Sequence, residues 1–363
     1  MISLIDRYLL KDIIKTMLAI LAILILILLS NNLVKILRLA SEGLLSNEVI
    51  PIMVSLEILR ILPVLIPPAF FFATLYTLGR MYRDNEMTAL AFAGLGGWRI
   101  YRSIIFVALI TAVLVAWFSL LVLPNASLQM EKIKIKEAET AGFGSIKTAE
   151  FNELRHGDLT FYAEDISPDG KKLANIFIQN RKNNQITITT AKEGYQYLEK
   201  ETGDRFIVLI NGHRYQGQAG QADYSIGTFS EYGVRIQRLN LNKSANAKRK
   251  TKSSRYLYDS DNIRDKAALQ WRLTLPLSVL TYALLCIPLS KSRPREGIYG
   301  RLFMAVLSYF IYINISKVAQ TWMIQGKTPE ILGMWWIPVL FSIIALFFIQ
   351  RSHRMRKIKK VRK

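Results

Sequence analysis

The sequence predicts a membrane α-helical bundle of six transmembrane helices, three and three, with an all-β, jelly-roll-like domain inserted between the halves. Three observations carry this. Apolar runs close to the ~20 residues needed to cross a ~30 Å hydrocarbon core recur six times. Basic clusters flank them on one side only. Arg7, Lys11 and Lys15 precede the first run, and Arg80, Arg83, Arg99 and Arg102 separate the second from the third. Lys291, Arg293, Arg295 and Arg301 separate the fourth from the fifth, and a basic tail, 351–363, follows the sixth. Cytoplasmic loops are rich in Lys and Arg, so both termini are expected in the cytoplasm and the stretch between runs three and four outside. That stretch, about 140 residues, alternates apolar and polar positions as strands do.

The domains expected are an N-terminal membrane half, 1–123, with a cytoplasmic helix near 84–94; an external β domain with connectors, 124–265; a C-terminal membrane half, 266–350; and the tail, 351–363. Residues 1–11 read as an amphipathic helix entering span one, 12–36, which Lys35 and Arg38 close on the external side. Span two, 49–79, has Glu57 and Arg60 three apart, on one helix face. Pro63, Pro67 and Pro68 remove backbone donors within it, so a bend is expected. Between 80 and 100, Asn85 to Ala93 favours a short helix that Gly94, Gly96 and Gly97 stop. Span three, 104–123, should end at Pro124. A polar helical connector, 129–140, leads to strands at 158–166, 173–179, 186–191, 195–199, 205–210 and 224–237. Residues 242–255 (NKSANAKRKTKSSR) read as a flexible basic linker. Spans four to six cover 273–289, 302–323 and 334–349.

Composition excludes several functions. Among 363 residues, 48 Lys and Arg outnumber 27 Asp and Glu, for a net charge of +21. The excess sits at membrane edges, where it meets anionic lipid, so nucleic-acid binding is not expected. Cys286 is the only cysteine and lies in an apolar run, so no internal disulfide or cysteine zinc site can form. No small-residue cleavage site follows the first apolar run, so it does not read as a removable signal. There is no HExxH or GxSxG. Gly326-Lys327-Thr328 imitates the end of a phosphate-binding loop, but Thr321 stands where that loop needs glycine. His156, His213 and His353 are scattered, whereas metal sites need clustered ligands. No enzyme, cofactor or metal is expected.

The residues that carry chemistry are charges at span edges. Lys317 lies inside span five, six residues before its expected end. An intramembrane cation is functional by default, although a lysine can also snorkel to the headgroups. With Lys35 and Arg38 it would form a set of cations suited to a phosphorylated lipid headgroup. Glu57 and Arg60 can pair with each other. Glu86, in the short helix after Arg80 and Arg83, is either a solvated residue or the contact of a docking helix.

Several stretches resemble the lipopolysaccharide export permeases of the LptF/LptG family. They are Asp6-Arg7-Tyr8, Leu78-Gly79-Arg80-Met81-Tyr82, Asn85-Glu86-Met87-Thr88, Ala93-Gly94-Leu95, Trp271-Arg272-Leu273-Thr274, Pro288-Leu289-Ser290, Pro294-Arg295-Glu296-Gly297 and Trp335-Trp336. The resemblance covers nearly the whole length, although the strand region matches only in pattern. It implies the membrane subunit of an ABC exporter in the bacterial inner membrane, paired with an LptG-like permease and with its β domain periplasmic. A cytoplasmic ATPase dimer, which binds ATP and Mg, would dock through Glu86, Arg83, Asn85 and Gly94. Lipopolysaccharide would enter from the outer leaflet and meet Lys35, Arg38, Asn32, Lys317 and Arg60; Asn32 stands where the family pattern has a further lysine. The β domain would join membrane-anchored LptC-like and periplasmic LptA-like jellyroll proteins.

Two other classes remain open from the residues alone. A stand-alone ion-coupled transporter needs protonatable carboxylates deep in the bundle, and only Glu57 approaches this. A membrane-anchored scaffold needs no more than one span.

Overall fold

The structure, a computed structural model, describes residues 4–41, 45–93, 97–140, 148–154, 159–167, 172–182, 185–198, 205–217, 225–237, 249–290 and 298–361. It divides into two compact units. One holds Met1–Leu33, Val54–Gln129 and Lys248–Lys363; the other holds Val34–Met53 and Met130–Ala247.

Helix α1 (Leu4–Ser41) is continuous, so the expected surface helix and first span are one element. Helix α2 (Ile50–Arg83) runs unbroken through Pro63, Pro67 and Pro68. Neighbouring helices can support such a proline-rich stretch in a membrane. Asn85 then adopts φ 60°, in the left-handed region that asparagine tolerates. Its carbonyl accepts from the N–H groups of Thr88 and Ala89, which starts α3 (Glu86–Phe92) at once.

Helix α4 (Gly97–Trp117) passes through a π-helical segment, Phe118–Val122, into α5 (Leu123–Thr140). The expected stop at Pro124 is therefore wrong. The π turn has already shifted the hydrogen-bond register there, so a missing donor interrupts less of the ladder. Helices α6 (Ser254–Asp259), α7 (Ile263–Ser290), α8 (Ile298–Ile324) and α9 (Trp336–Val361) complete the bundle unit.

Among the described residues, five helical stretches are long and apolar enough to cross a membrane: Asp6–Ser41, Asn47–Arg83, Arg99–Glu137, Ile263–Ser290 and Phe303–Ile324. In the sixth position α9 carries a shorter apolar stretch, Trp336–Arg351. Its length is roughly 24 Å at 1.5 Å per residue. Of the five, α7 is the most buried within the bundle, which makes it the core helix. Tilted and edge-to-face ring contacts tie it to its neighbours. Phe71 of α2 lies 4.9 Å from Tyr282 of α7, Tyr282 lies 5.1 Å from Tyr312 of α8, and Tyr312 lies 5.1 Å from Phe341 of α9. Such pairs contribute about 0.5–1.5 kcal/mol each, and close packing dominates where lipid removes the hydrophobic drive. Cys286 is buried in this core, its thiol donating to the Phe71 carbonyl at 3.4 Å.

The inserted domain is all-β, as expected. Strands β1 (Asn152–Leu154), β2 (Leu159–Ile166), β3 (Lys172–Lys182), β4 (Gln185–Leu198), β5 (Arg205–Gly217) and β6 (Ser225–Gln237) form one antiparallel sheet in sequential order. The jelly-roll-like reading thus becomes a single meander among the described residues. Strand β1 was not expected, and the strands read at 186–191 and 195–199 are one.

That merger has a physical reason. Inward residues alternate by two along each strand, but at one level the step is three. Ala163 and Ile166, Leu173 and Ile176, and Phe229 and Tyr232 all join the same apolar cluster. The residues skipped form a register row, Asp165, Ala174, Glu193, Ile210 and Glu231. Beside it, Asn175 and Asn211 have φ 49° and 51°. The sheet is creased across its width at this level. Gly194 and Gly212 lie there because a Cβ would strike Ile176 at 2.6 Å in the first case and the Phe229 ring in the second.

Candidate functional site

Two groups of polar side chains stand out in the bundle unit. The first gathers where α1 begins and α2 ends. The tight Asp84-Asn85 corner puts Glu86 in the first turn of α3, where a carboxylate suits the positive end of the helix dipole. The Tyr8 hydroxyl of α1 donates to Glu86 Oε2 at 3.2 Å. Arg80 Nη2 of α2 donates to the Tyr8 oxygen at 2.9 Å and lies 3.2 Å from Asp12 Oδ2. The Ser103 hydroxyl of α4 donates to the Asp6 carboxylate. Met87 and Leu90 pack against the bundle core, whereas Phe92 is 89% exposed. A small helix is therefore fastened on one face and open on the other.

Of the residues expected to couple to a partner, Glu86 is held in this network. Arg83 pairs with the adjacent Asp84 at 3.1 Å. Asn85 supplies the corner, and Gly94 lies outside the described residues. The reading missed Tyr8, Asp12 and Arg80 as members. Asp6-Arg7-Tyr8 and the Arg80 segment were visible as separate stretches, but nothing local joined them to Glu86.

The second group lies on facing surfaces of α1 and α2. Asn32 Nδ2 donates to Glu57 Oε1 at 2.9 Å, and Arg60 Nη1 donates to Glu57 Oε2 at 2.6 Å. The Glu57–Arg60 pair is present, with Asn32 as an added donor. Lys250 lies close enough to Arg60 and Glu57 for both charges to act on its ammonium. Surrounding protein desolvates Lys250 and Arg60 repels it, so its pKa falls below the ordinary lysine value, with Glu57 opposing. Lys317 is exposed on α8, seven positions before the helix ends. Lys35 and Arg38 belong to the second unit, where both are exposed on α1.

Residues 249–255, read as flexible linker, are ordered. Helix α6 begins among them, Arg272 binds their carbonyls, and Asp265 binds Lys252 and Arg249. The Pro294–Gly297 stretch lies outside the described residues. Gly326, at φ 73°, belongs to an ordinary turn. No group of potential metal ligands occurs among the described residues.

The chain matches known proteins over most of its length. The family model described as "Lipopolysaccharide export system permease LptF/LptG" covers residues 7–351. Proteins of Escherichia coli K12, Escherichia coli O157:H7 and Shigella flexneri, each named lipopolysaccharide export system permease protein LptF, are 26% identical to it over 347 residues. These alignments cover 94% of this chain and 93% of each relative. With its several apolar helices and inserted β sheet, the chain belongs to the lipopolysaccharide export permease family LptF/LptG.

Proposed function

We propose that this chain is the non-catalytic membrane subunit of an ABC exporter that lifts lipopolysaccharide from the outer leaflet of the inner membrane. It pairs with an LptG-like permease. A cytoplasmic ATPase dimer, which holds ATP and Mg, supplies the drive by docking on α3. Both termini and the 351–363 tail face the cytoplasm in this reading, which the one-sided basic clusters support. The β domain, within 124–265, faces the periplasm and hands lipid to LptC-like and LptA-like jellyroll partners by strand addition at an open edge.

The observation that carries this reading is the nearly full-length family match. The fastened α3 supports it, because a coupling helix must transmit force to the bundle and not swing freely. Lys35, Arg38, Asn32, Lys317 and Arg60 are the proposed lipopolysaccharide contacts; cations recognise phosphate strongly in a partly desolvated site. The ion-coupled alternative loses ground, because Glu57 already accepts from Asn32 and Arg60.

The test is purification from native membranes in mild detergent, with mass spectrometry. A second family permease, an ATPase and lipopolysaccharide are expected together. A lone chain carrying ordinary phospholipid would overturn the proposal.

A further inference from the structure

The two passages of chain that lead to the β domain leave the bundle unit after Gln129 and return at Lys248. Both run past one hydrogen-bonded knot. On the outgoing side, the π turn closes with the Leu123 N–H on the Phe118 carbonyl. Pro124 follows, and proline has no N–H. In an α-helix, residue 124 is the donor for the Leu120 carbonyl. That carbonyl instead accepts from the Ser254 hydroxyl of the returning chain, at 2.7 Å.

Arg272 completes the knot. Its side chain is buried in α7, and among the described residues its acceptors are a hydroxyl and backbone carbonyls. Nη1 donates to Ser254 Oγ at 2.9 Å, and Nη2 donates to the carbonyls of Lys250 at 3.1 Å and Lys252 at 3.0 Å. The Ser119 hydroxyl donates to the Arg272 carbonyl at 2.7 Å. Lys252 and Arg249 then reach the buried Asp265 at 2.8 and 3.4 Å. A planar guanidinium satisfies several acceptors in fixed directions, which a lysine ammonium does not.

We propose that Arg272 and Ser254 are coupling residues: they clamp the outgoing and returning chains to α4 and α7, so that helix movement reaches the β domain through both at once. Neither residue touches the transported lipid. The inference rests on the export reading for its functional half. Its structural half stands alone, because Ser254 replaces a donor that Pro124 lacks.

This gives a specific test. In the purified protein, Ser254→Ala and Arg272→Lys should raise hydrogen exchange over 249–260 at least about tenfold. Adding Pro124→Ala to Ser254→Ala returns an N–H to position 124 and should restore transport and the helical bonding at Leu120. In the reconstituted complex, Ser254→Ala should lower lipopolysaccharide transferred per ATP at least threefold while ATP hydrolysis stays near wild type, and Ser254→Thr should behave as wild type. Unchanged exchange in both single variants overturns the clamp. Raised exchange with unchanged transport per ATP overturns the coupling role, as does failure of Pro124→Ala to rescue. A wild-type complex that moves no lipopolysaccharide overturns the export reading instead, and the exchange result still decides the clamp.

Discussion

The Tyr8 hydroxyl donates to the Glu86 carboxylate across 3.2 Å, joining residues 78 positions apart and fixing the short helix α3 to the start of α1. Tyr8 is 45% exposed, so the bond contributes at most about 0.5–1 kcal/mol to folding. Its expected importance lies in orientation. Tyr8→Phe should leave the unfolding midpoint almost unchanged and lower lipopolysaccharide transfer several-fold. Glu86→Lys should abolish coupling to the ATPase. Full activity in Glu86→Lys would remove the docking role.

Asp265 is buried and binds Lys252, Arg249 and the Ser260 hydroxyl. Removing one partner of a buried ionic cluster leaves the other charges uncompensated. Asp265→Ala should therefore destabilise the bundle unit by about 3 kcal/mol. The midpoint of thermal unfolding in detergent measures this, and a shift within error would show that solvent already screens the cluster.

Gly333 sits at φ 35°, and a Cβ there would overlap the Gln270 side chain. Gln270 bridges the α8–α9 turn to α7, with Nε2 donating to the Glu330 carbonyl at 2.8 Å and Oε1 accepting from the Met334 N–H at 2.9 Å. Gly333→Ala should cost about 1–3 kcal/mol through strain and the displaced bridge. Adding Gln270→Ala should recover part of that loss. No recovery would place the cost in the backbone alone.

At the crease of the sheet, Gly212→Ala would drive a methyl group into the Phe229 ring and the Thr190 carbonyl. Expelling Phe229 from the apolar cluster should open the β5–β6 edge. Limited proteolysis should then cut near 217–225 faster than in wild type, with little change in the helical region. An unaltered digestion pattern would show that the ring shifts without cost.

Two neighbouring lysines should titrate apart. Desolvation and Arg60 lower the pKa of Lys250, while the hydrogen bond to Asp265 raises that of Lys252. At pH 8 an amine-reactive ester should modify Lys250 faster, since more of it is neutral. The sign for stability follows. Folding raises the Lys252 value above 10.5, so its bond is intact below that pH and is lost as pH rises through the folded value. Equal labelling of both lysines would contradict the assignment.

The sequence by itself determined the order of apolar helices, the inserted β domain and the stretches that mark the family. These features are local: a run of apolar residues, a period of two, a motif. The Glu57–Arg60 pair was legible for the same reason, being three apart on one helix. Tertiary structure decided what depends on distant partners. Pro124 reads as a helix stop until Ser254, far along the chain, supplies a donor to Leu120. Residues 249–255 read as linker until Arg272 takes their carbonyls. Lys192-Glu193-Gly194 reads as a break between strands until the whole sheet is seen to crease at one register row. In each case a backbone group or a side-chain step that looks unsatisfied locally is completed by a residue whose position only the fold supplies.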